Sequence, residues 1–178
     1  MKMKLIAFVG LALTVFAACS NTPNETKTDA AATTTATTEK APAAIAKSLP
    51  SFKVMGMDGN SMNLADLKGK KVFVNLWATW CPPCKKEIPS IESLYSKVDK
   101  QKTVFVMLSL DDNFDVAKQY VTNNKIQVPV YYPTEKLPAI FNTDGIPVTF
   151  IFNEKGELIK VNNGMEDYDT KTYLRMLN

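Results

Sequence analysis

Residues 71–89 read KVFVNLWATWCPPCKKEIP, and the prediction of the fold starts from this stretch. It opens with apolar, β-favouring residues at 72–74, 76 and 77, a nearly continuous run that is typical of a strand buried on both faces. After a short turn it continues as a charged helical pattern. Cys81 and Cys84 lie at the junction. A strand that delivers a Cys-x-x-Cys pair to the first turn of a helix is a dithiol redox arrangement.

The start of a helix favours thiol chemistry for two reasons. The amide N–H groups of the first turn are unpaired, and the helix dipole places its positive end there. Cysteines in that setting have a lowered pKa, and the thiolate is the nucleophile in disulfide exchange. Pro82 fits the first helical position, because its fixed φ is helical and no N–H is needed there. The residues therefore predict a redox-active Cys81–Cys84 pair.

Three other interpretations of the same two cysteines are a static disulfide, an inert buried pair and a zinc site. Zinc normally takes four ligands from cysteine and histidine. The whole chain has three cysteines and no histidine, and Cys19 lies far upstream of the other two. No metal is therefore expected, and no cofactor apart from the Cys81–Cys84 disulfide itself.

The amino terminus has the features of an export signal. Lys2 and Lys4 give residues 1–18 a positive start, and an apolar run too short for a comfortable membrane span follows. The four residues 16–19, Phe-Ala-Ala-Cys, resemble a bacterial lipobox, although Phe16 stands where leucine is usual. We expect cleavage before Cys19 and lipidation of that cysteine. The alternative is ordinary signal cleavage, which leaves Cys19 as a free thiol.

Residues 19–48 are predicted to be a lipid-anchored, disordered tether. From 20 to 47 the chain is mostly threonine, alanine, asparagine and scattered charges, with Ile45 its only large aliphatic residue. Such a segment buries too little apolar surface to offset its ordering entropy. Flexible chains of this length span about 30 Å on average. The formal net charge of +3 gives no argument for a nucleic-acid partner.

Residues 49–178 have the length of a single domain with one core. Strands are predicted at 49–54, 72–76, 103–110, 128–132, 148–152 and 157–161. Helices are predicted at 82–98, 114–121 and 167–177, with single helical turns at 63–67 and 137–141. Asp111, Asp112 and Asn113, just before the second helix, are interpreted as its N-cap residues. The order of elements predicts an α/β domain, a mixed sheet with helices on both faces.

This domain resembles the thioredoxin fold, and within it the TlpA/ResA-like membrane-tethered thiol–disulfide oxidoreductases. The resemblance covers nearly all of residues 49–178. It rests on three motifs, which are WCPPC at 80–84, IPVTF at 146–150 and FNEKG at 152–156. It implies an α/β thioredoxin-like fold with a central mixed β-sheet flanked by helices.

The resemblance also implies roles for the dithiol. Cys81 corresponds to the exposed nucleophile, and Cys84 to the buried thiol that resolves the mixed disulfide. Pro82 and Pro83, between them, are expected to tune the reduction potential and to contact the substrate. Trp80 is expected to shield the thiols and to contact the substrate as well.

Pro147 corresponds to the cis-proline of the family, which faces the dithiol. The backbone at Ile146 would then pair with an extended substrate segment, as an added strand does. The alternative is a plain trans proline at the start of an edge strand.

Glu87 is a further candidate. Thioredoxin carries a buried aspartate at the position of Asn75, and the ResA-like subgroup shares the asparagine and a glutamate at the position of Glu87. One helical turn separates Glu87 from Cys84, so the resemblance implies a carboxyl group with a raised pKa that exchanges protons with that thiol. The alternative is a solvated glutamate paired with Lys85 or Lys86.

Together these features predict an extracytoplasmic, membrane-anchored thiol:disulfide oxidoreductase on the periplasmic side of the cell envelope. Its expected partners are disulfide-containing exported proteins, such as apocytochrome c, and a membrane thiol that donates electrons. A thiol peroxidase is a rival reading, but Ala78 stands where peroxiredoxins carry threonine. A copper-delivery lipoprotein of the same fold is another. That group uses a Cys-x-x-x-Cys spacing and a histidine, and this chain has neither.

Overall fold

The computed structural model describes residues 47–178, which all belong to one compact unit. Within them a seven-stranded sheet has the order β2-β1-β5-β4-β3-β6-β7. The strands are β1 (Lys53–Gly56), β2 (Ser61–Asn63), β3 (Lys71–Trp77), β4 (Thr103–Ser109), β5 (Val130–Pro133), β6 (Val148–Phe152) and β7 (Leu158–Asn163). β3, β4 and β5 run parallel, whereas the other pairings are antiparallel. The sheet is therefore mixed, as predicted.

Helices cover both faces of the sheet, but unequally. The α-helices are α1 (Pro82–Lys97), α2 (Phe114–Asn123) and α3 (Lys171–Leu177), and all three contribute to one buried cluster. The other face is covered by two 3-10 helices (Leu64–Leu67 and Ala139–Phe141) and by Leu49 and Phe52. The crossovers β3-α1-β4 and β4-α2-β5 step in the same direction, and right-handed connections then place α1 and α2 on the same face.

The strand β3 lies in the middle of the sheet, between β4 and β6, and is buried from residue 72 to residue 77. Its side chains alternate between the two faces, so Phe73 and Trp77 face the α-helices and Val74 faces the opposite cluster. The helix α1 begins five residues after this strand. The dithiol therefore lies at the carboxyl end of the most buried part of the sheet.

The beginning of the domain differs from the prediction. The first strand begins at Lys53 instead of residue 49, although Leu49 is buried and its amide donates to the carbonyl of Gly156 at 2.7 Å. Ser48, which the sequence assigns to the tether, forms a β-bridge with Glu157. The short strand β2 was not predicted, because three residues are too few for a period of two to be visible.

The last helix also begins later than predicted. α3 starts at Lys171, with Thr170 as its N-cap, instead of at residue 167. The residues before it follow α1 in an irregular path, and Tyr168 among them is fully buried. Pro89 lies inside α1 without ending it.

The predicted signal peptide, the lipidation site Cys19 and nearly all of the predicted tether lie outside the described residues. From residue 47 onward, no helix has the length and apolar character that a membrane crossing requires.

Candidate active site

Cys81 and Cys84 form a disulfide, with their Cα atoms 5.3 Å apart. Cys81 is the N-cap residue of α1, and its backbone is extended with φ −94° and ψ 103°. Its Sγ accepts the N–H of Cys84 at 3.3 Å. A sulfur atom in this position receives the stabilisation that helix N-termini give to negative charge. This geometry suits Cys81 for attack as a thiolate.

Cys84 is as buried as the resemblance implied, whereas Cys81 is more enclosed than expected. Cys84 is fully buried, and only 3% of the Cys81 surface is exposed, so Cys81 is not the openly exposed thiol that was expected. The reason is the loop before Pro147, which places the carbonyl oxygen of Ile146 3.7 Å from the Sγ of Cys81. In the disulfide form, this loop covers the sulfur.

The Ile146–Pro147 peptide bond is cis. Pro147 accepts a hydrogen bond from the N–H of Gly164 at 2.9 Å, which ties the loop to the end of β7. Within residues 47–178, neither the N–H nor the carbonyl of Ile146 bonds to another backbone group. The backbone beside the dithiol is therefore available to pair with an extended peptide.

A cavity of about 450 Å³ with a mixed, mainly apolar lining adjoins this loop. Its walls include Trp80, Leu137, Phe141 and Ile146. Trp80 is 64% exposed, whereas Trp77 is fully buried in the core. Pro82 and Pro83 are exposed on the first turn of α1. Of the residues predicted to contact the substrate, Trp80, Pro82 and Pro83 are thus exposed next to the dithiol, whereas Pro147 is buried.

Asp111 has a different role from the one predicted. Of the predicted cap residues, Asn113 is the N-cap of α2, and its side chain accepts the N–H of Asp115 at 2.9 Å. The prediction is confirmed for Asn113 and wrong for Asp111. Asp111 is buried, and its carboxylate accepts the N–H of Thr79 at 3.1 Å and the Thr79 hydroxyl at 2.6 Å. It also accepts the Ser109 hydroxyl at 2.8 Å. The carboxylate therefore holds the turn that precedes the dithiol.

Glu87 lies on the buried side of α1, with only 2% of its surface exposed. Its Oε1 accepts from the Nδ2 of Asn75 at 2.8 Å, and its Oε2 accepts from the N–H of Glu166 at 3.2 Å. Burial raises the pKa of Glu87 to about 7, although the two hydrogen bonds act to lower it. It forms no ion pair with Lys85 or Lys86 in the described chain, so the solvated alternative does not hold.

A polar network extends from Glu87 into the sheet. The Nδ2 of Asn75 also donates to the Oγ1 of Thr149 at 2.9 Å, and the Tyr168 hydroxyl donates to the same oxygen at 2.6 Å. Burial raises the pKa of Tyr168. No role was predicted for Thr149, Tyr168 or Glu166. The sequence does hint at the positions of Asn75 and Thr149 in this network. Each of these polar residues interrupts an apolar strand, and buried polar groups need hydrogen-bond partners.

Metal binding has no support in the described region. Residues 47–178 contain no group of three or more histidine, cysteine, aspartate or glutamate side chains placed to hold an ion.

A cysteine pair that caps the helix after a central buried strand, across from a cis-proline, defines the class of thioredoxin-fold thiol–disulfide oxidoreductases. Comparison with known proteins gives the family. The model of the Redoxin family matches residues 44–177, and the chain belongs to this family. The chain is also 32% identical over 117 residues to the thiol-disulfide oxidoreductase ResA of Bacillus thuringiensis (strain Al Hakam). That match covers 65% of this chain and 68% of the relative.

Solved structures agree with this assignment. StoA from Bacillus subtilis has a TM-score of 0.61 and 27% identity, with 71% of this chain and 99% of that chain covered. A thiol:disulfide interchange protein of the thioredoxin family from Chlorobium tepidum TLS has a TM-score of 0.64 and 30% identity, with coverage of 74% and 96%. The predicted thioredoxin-like fold and the resemblance to ResA are confirmed. The chain is an enzyme, a thiol:disulfide oxidoreductase.

Proposed function

We propose that this oxidoreductase is a membrane-anchored, extracytoplasmic enzyme that reduces disulfides in exported proteins, with oxidised precursors of cytochrome c among its substrates. The observation that supports a polypeptide substrate is the junction of Cys81 with Ile146, where a reactive sulfur lies 3.7 Å from a backbone carbonyl without a backbone partner. The anchor and the compartment rest on the predicted export signal and on Cys19. A polypeptide disulfide fits this junction better than a small oxidant does, because the unpaired backbone offers main-chain hydrogen bonds.

The reaction uses the two cysteines in turn. The Cys81 thiolate attacks one sulfur of the substrate disulfide, which forms a mixed disulfide and releases the first substrate thiolate. The Cys84 thiol then loses its proton and attacks the Sγ of Cys81. This step forms the Cys81–Cys84 disulfide and releases the second substrate thiolate. Two electrons pass from the enzyme dithiol to the substrate, and each released thiolate takes up one proton.

Glu87 is the proposed acceptor of the Cys84 proton. A pKa of about 7 is close to that of an effective general base at neutral pH. Glu87 lies one helical turn after Cys84 on the same buried side of α1. The Asn75 amide supports the charged carboxylate after it has lost the proton.

Substrate binding is assigned to the surface around the dithiol. The segment next to the substrate cysteine pairs with the backbone of Ile146, and Pro147 fixes the direction of that backbone. Trp80, Pro82 and Pro83 are exposed around the sulfur and contact the flanking substrate residues.

The reduction of disulfides outside the cytoplasm requires a source of electrons, because the extracytoplasmic space is generally oxidising. We assign this role to a membrane thiol donor, which the predicted lipid anchor at Cys19 would keep close to the enzyme. The first test is the reduction potential of the Cys81–Cys84 pair, measured in dithiol buffers. A value near about −270 mV, that of thioredoxin, supports a reductant. A value near about −120 mV, that of DsbA, would make the chain a disulfide donor instead.

A second test concerns Glu87. Glu87→Gln keeps the size of the side chain and removes its capacity to accept a proton, so we expect slower exchange and the loss of a pH dependence near neutrality. The rate of substrate reduction is measured from pH 5 to pH 9. Glu154→Gln, at an exposed glutamate in the β6–β7 turn, is the matched control. A Glu87→Gln profile that matches the native profile would remove Glu87 from the mechanism.

A further inference from the structure

The segment that joins β7 to α3, residues 164–169, lies along α1, and we call it the strap. It is attached at three successive turns of the helix. The attachments are Glu166 N–H to Glu87 Oε2 at 3.2 Å, Tyr168 N–H to Ser90 Oγ at 3.1 Å, and Ser93 hydroxyl to Asp169 Oδ2 at 2.8 Å. Lys97 adds an ion pair with Asp169. The partners on α1 are spaced by about one turn, so the strap follows one side of the helix.

A cavity of about 380 Å³ lies between the strap and α1 and opens to solvent. Its lining includes Lys86, Glu87, Pro89, Met165, Glu166 and Asp167. Glu87 is almost completely buried, yet it belongs to the lining of this cavity. The strap is therefore the boundary between the buried carboxyl group and water.

The groups around Glu87 leave the strap side as the route by which its proton reaches solvent. On the sheet side, the Asn75 amide nitrogen contacts Oε1, and donors of this kind cannot accept a proton. Behind Asn75 lie Thr149 and Tyr168, and burial raises the pKa of that tyrosine. On the strap side, the charged groups that face the cavity are Lys86, Glu166 and Asp167.

We propose that the strap governs proton exchange between Glu87 and solvent, and that Glu166 is the positioning residue, because its amide holds the outer carboxylate oxygen. This inference rests on the proposed function. When Cys84 attacks the mixed disulfide, its proton passes to Glu87. Glu87 must then release that proton before the next cycle, and the acceptor is a water molecule in the cavity beneath the strap. The O–H bond of the carboxyl group breaks, and the carboxylate is restored between Asn75 and Glu166.

The first experiment loosens the strap without touching Glu87. Asp169→Ala removes the partner of Ser93 and Lys97, and the matched control is Asp115→Ala, which removes the exposed Lys118–Asp115 pair on α2. NMR on the full chain measures the hydrogen exchange of the Glu166 amide and the pKa of Glu87 with labelled glutamate. We expect the Glu166 amide to exchange roughly two- to fivefold faster, the size of effect that one exposed ion pair has.

The same variant should lower the pKa of Glu87, because burial is the largest cause of its elevation and water would reach the carboxyl group. Asp115→Ala should change neither quantity. Unchanged exchange and unchanged pKa in Asp169→Ala would overturn the proposal. Faster exchange with an unchanged pKa would overturn it equally, because the strap would then move without affecting Glu87.

The second experiment changes the charge on the strap and keeps the amide. Glu166→Gln removes a negative charge that raises the pKa of Glu87, so that pKa should fall while the protection of the residue 166 amide stays unchanged. Glu154→Gln again serves as the control. An unchanged Glu87 pKa in Glu166→Gln would remove the Glu166 charge from the proposal and leave the backbone amide as the one contact through which this residue acts on Glu87.

Different results would contradict the proposed role of Glu87 and the proposed role of the strap. If Glu87 takes no proton from Cys84, Glu87→Gln leaves the pH dependence of substrate reduction unchanged, although strap variants still shift the carboxyl pKa. If the strap does not govern Glu87, the strap variants leave that pKa unchanged, although Glu87→Gln still alters the rate profile.

Discussion

Asn75 and Glu87 meet between the sheet and α1, with the Nδ2 of Asn75 2.8 Å from the Oε1 of Glu87. Both side chains are buried, one on the central strand and the other on the helix that carries the dithiol. Burial destabilises the charged carboxylate, and the amide donor stabilises it. Because burial is the larger effect, the pKa of Glu87 rises from 4.5 to about 7.

This elevated pKa makes the stability of the fold depend on pH. The native state binds a proton at Glu87 that the unfolded state has released between pH 4.5 and about 7, so stability falls as pH rises through this window. The full effect is about 3 kcal/mol, since one pKa unit corresponds to about 1.36 kcal/mol. We expect Glu87→Gln to remove this loss, so that the free energy of unfolding of the oxidised protein falls less between pH 4 and pH 8.

Denaturant unfolding at both pH values measures this difference. Other groups titrate as well, so the quantity to compare is the change in stability between the two pH values in each protein. Glu154→Gln, at an exposed glutamate, should leave that change as it is in the native chain. A Glu87→Gln variant with the native pH dependence would show that Glu87 ionises as freely in the fold as in the unfolded chain.

The Asn75 amide gives a prediction for the pKa of Glu87. Asn75→Leu removes the donor to Oε1, so the pKa of Glu87 should rise above its native value of about 7. NMR titration of Glu87 measures this shift. Thr149→Val is the control, because it removes the other partner of Asn75 without touching Glu87, and a larger shift there would transfer the role to Thr149.

Local sequence patterns were enough to predict the dithiol and most of the sheet. From residue 72 to its end, the strand β3 is apolar except for Asn75, and the CPPC motif begins α1 after a short turn. The local sequence pattern of α1 also indicates the burial of Glu87. The buried positions of α1 include 84, 88 and 91, and Glu87 falls within that stripe. Its hydrogen-bond partners were not predictable in the same way, because Asn75 and Glu166 lie on other elements.

The wrong predictions concern segments whose structure depends on contacts between residues that are far apart in the sequence. Residues 167–170 have a pattern compatible with helix, but contacts with Ser90 and Ser93 hold them against α1, and α3 begins only at Lys171. Asp111 stands close enough to α2 to resemble a cap. Its partner Thr79 lies 32 residues away in the chain, and no local pattern shows such a contact.

The roles of the two cysteines give a direct prediction. Cys84→Ser should accumulate mixed disulfides between Cys81 and substrate proteins, because a serine hydroxyl cannot resolve them. Purification of the full chain from cells, followed by electrophoresis with and without reductant, shows the trapped species. A variant with both cysteines changed to serine is the control and should trap nothing. If Cys81→Ser traps the substrates instead, Cys84 is the attacking thiol, and the order of the two steps is reversed.

The Asp111 carboxylate should contribute to stability through the turn that precedes the dithiol. Asp111→Ala leaves the N–H and hydroxyl of Thr79 and the hydroxyl of Ser109 without their acceptor, so we expect a loss of about 1–3 kcal/mol in denaturant unfolding. Asp112→Ala is the matched control, because Asp112 is the exposed neighbour, and it should stay within about 0.5 kcal/mol of the native chain. Equal stability of the two variants would mean that Asp111 does not hold the turn, and that Thr79 is fixed by the surrounding core alone.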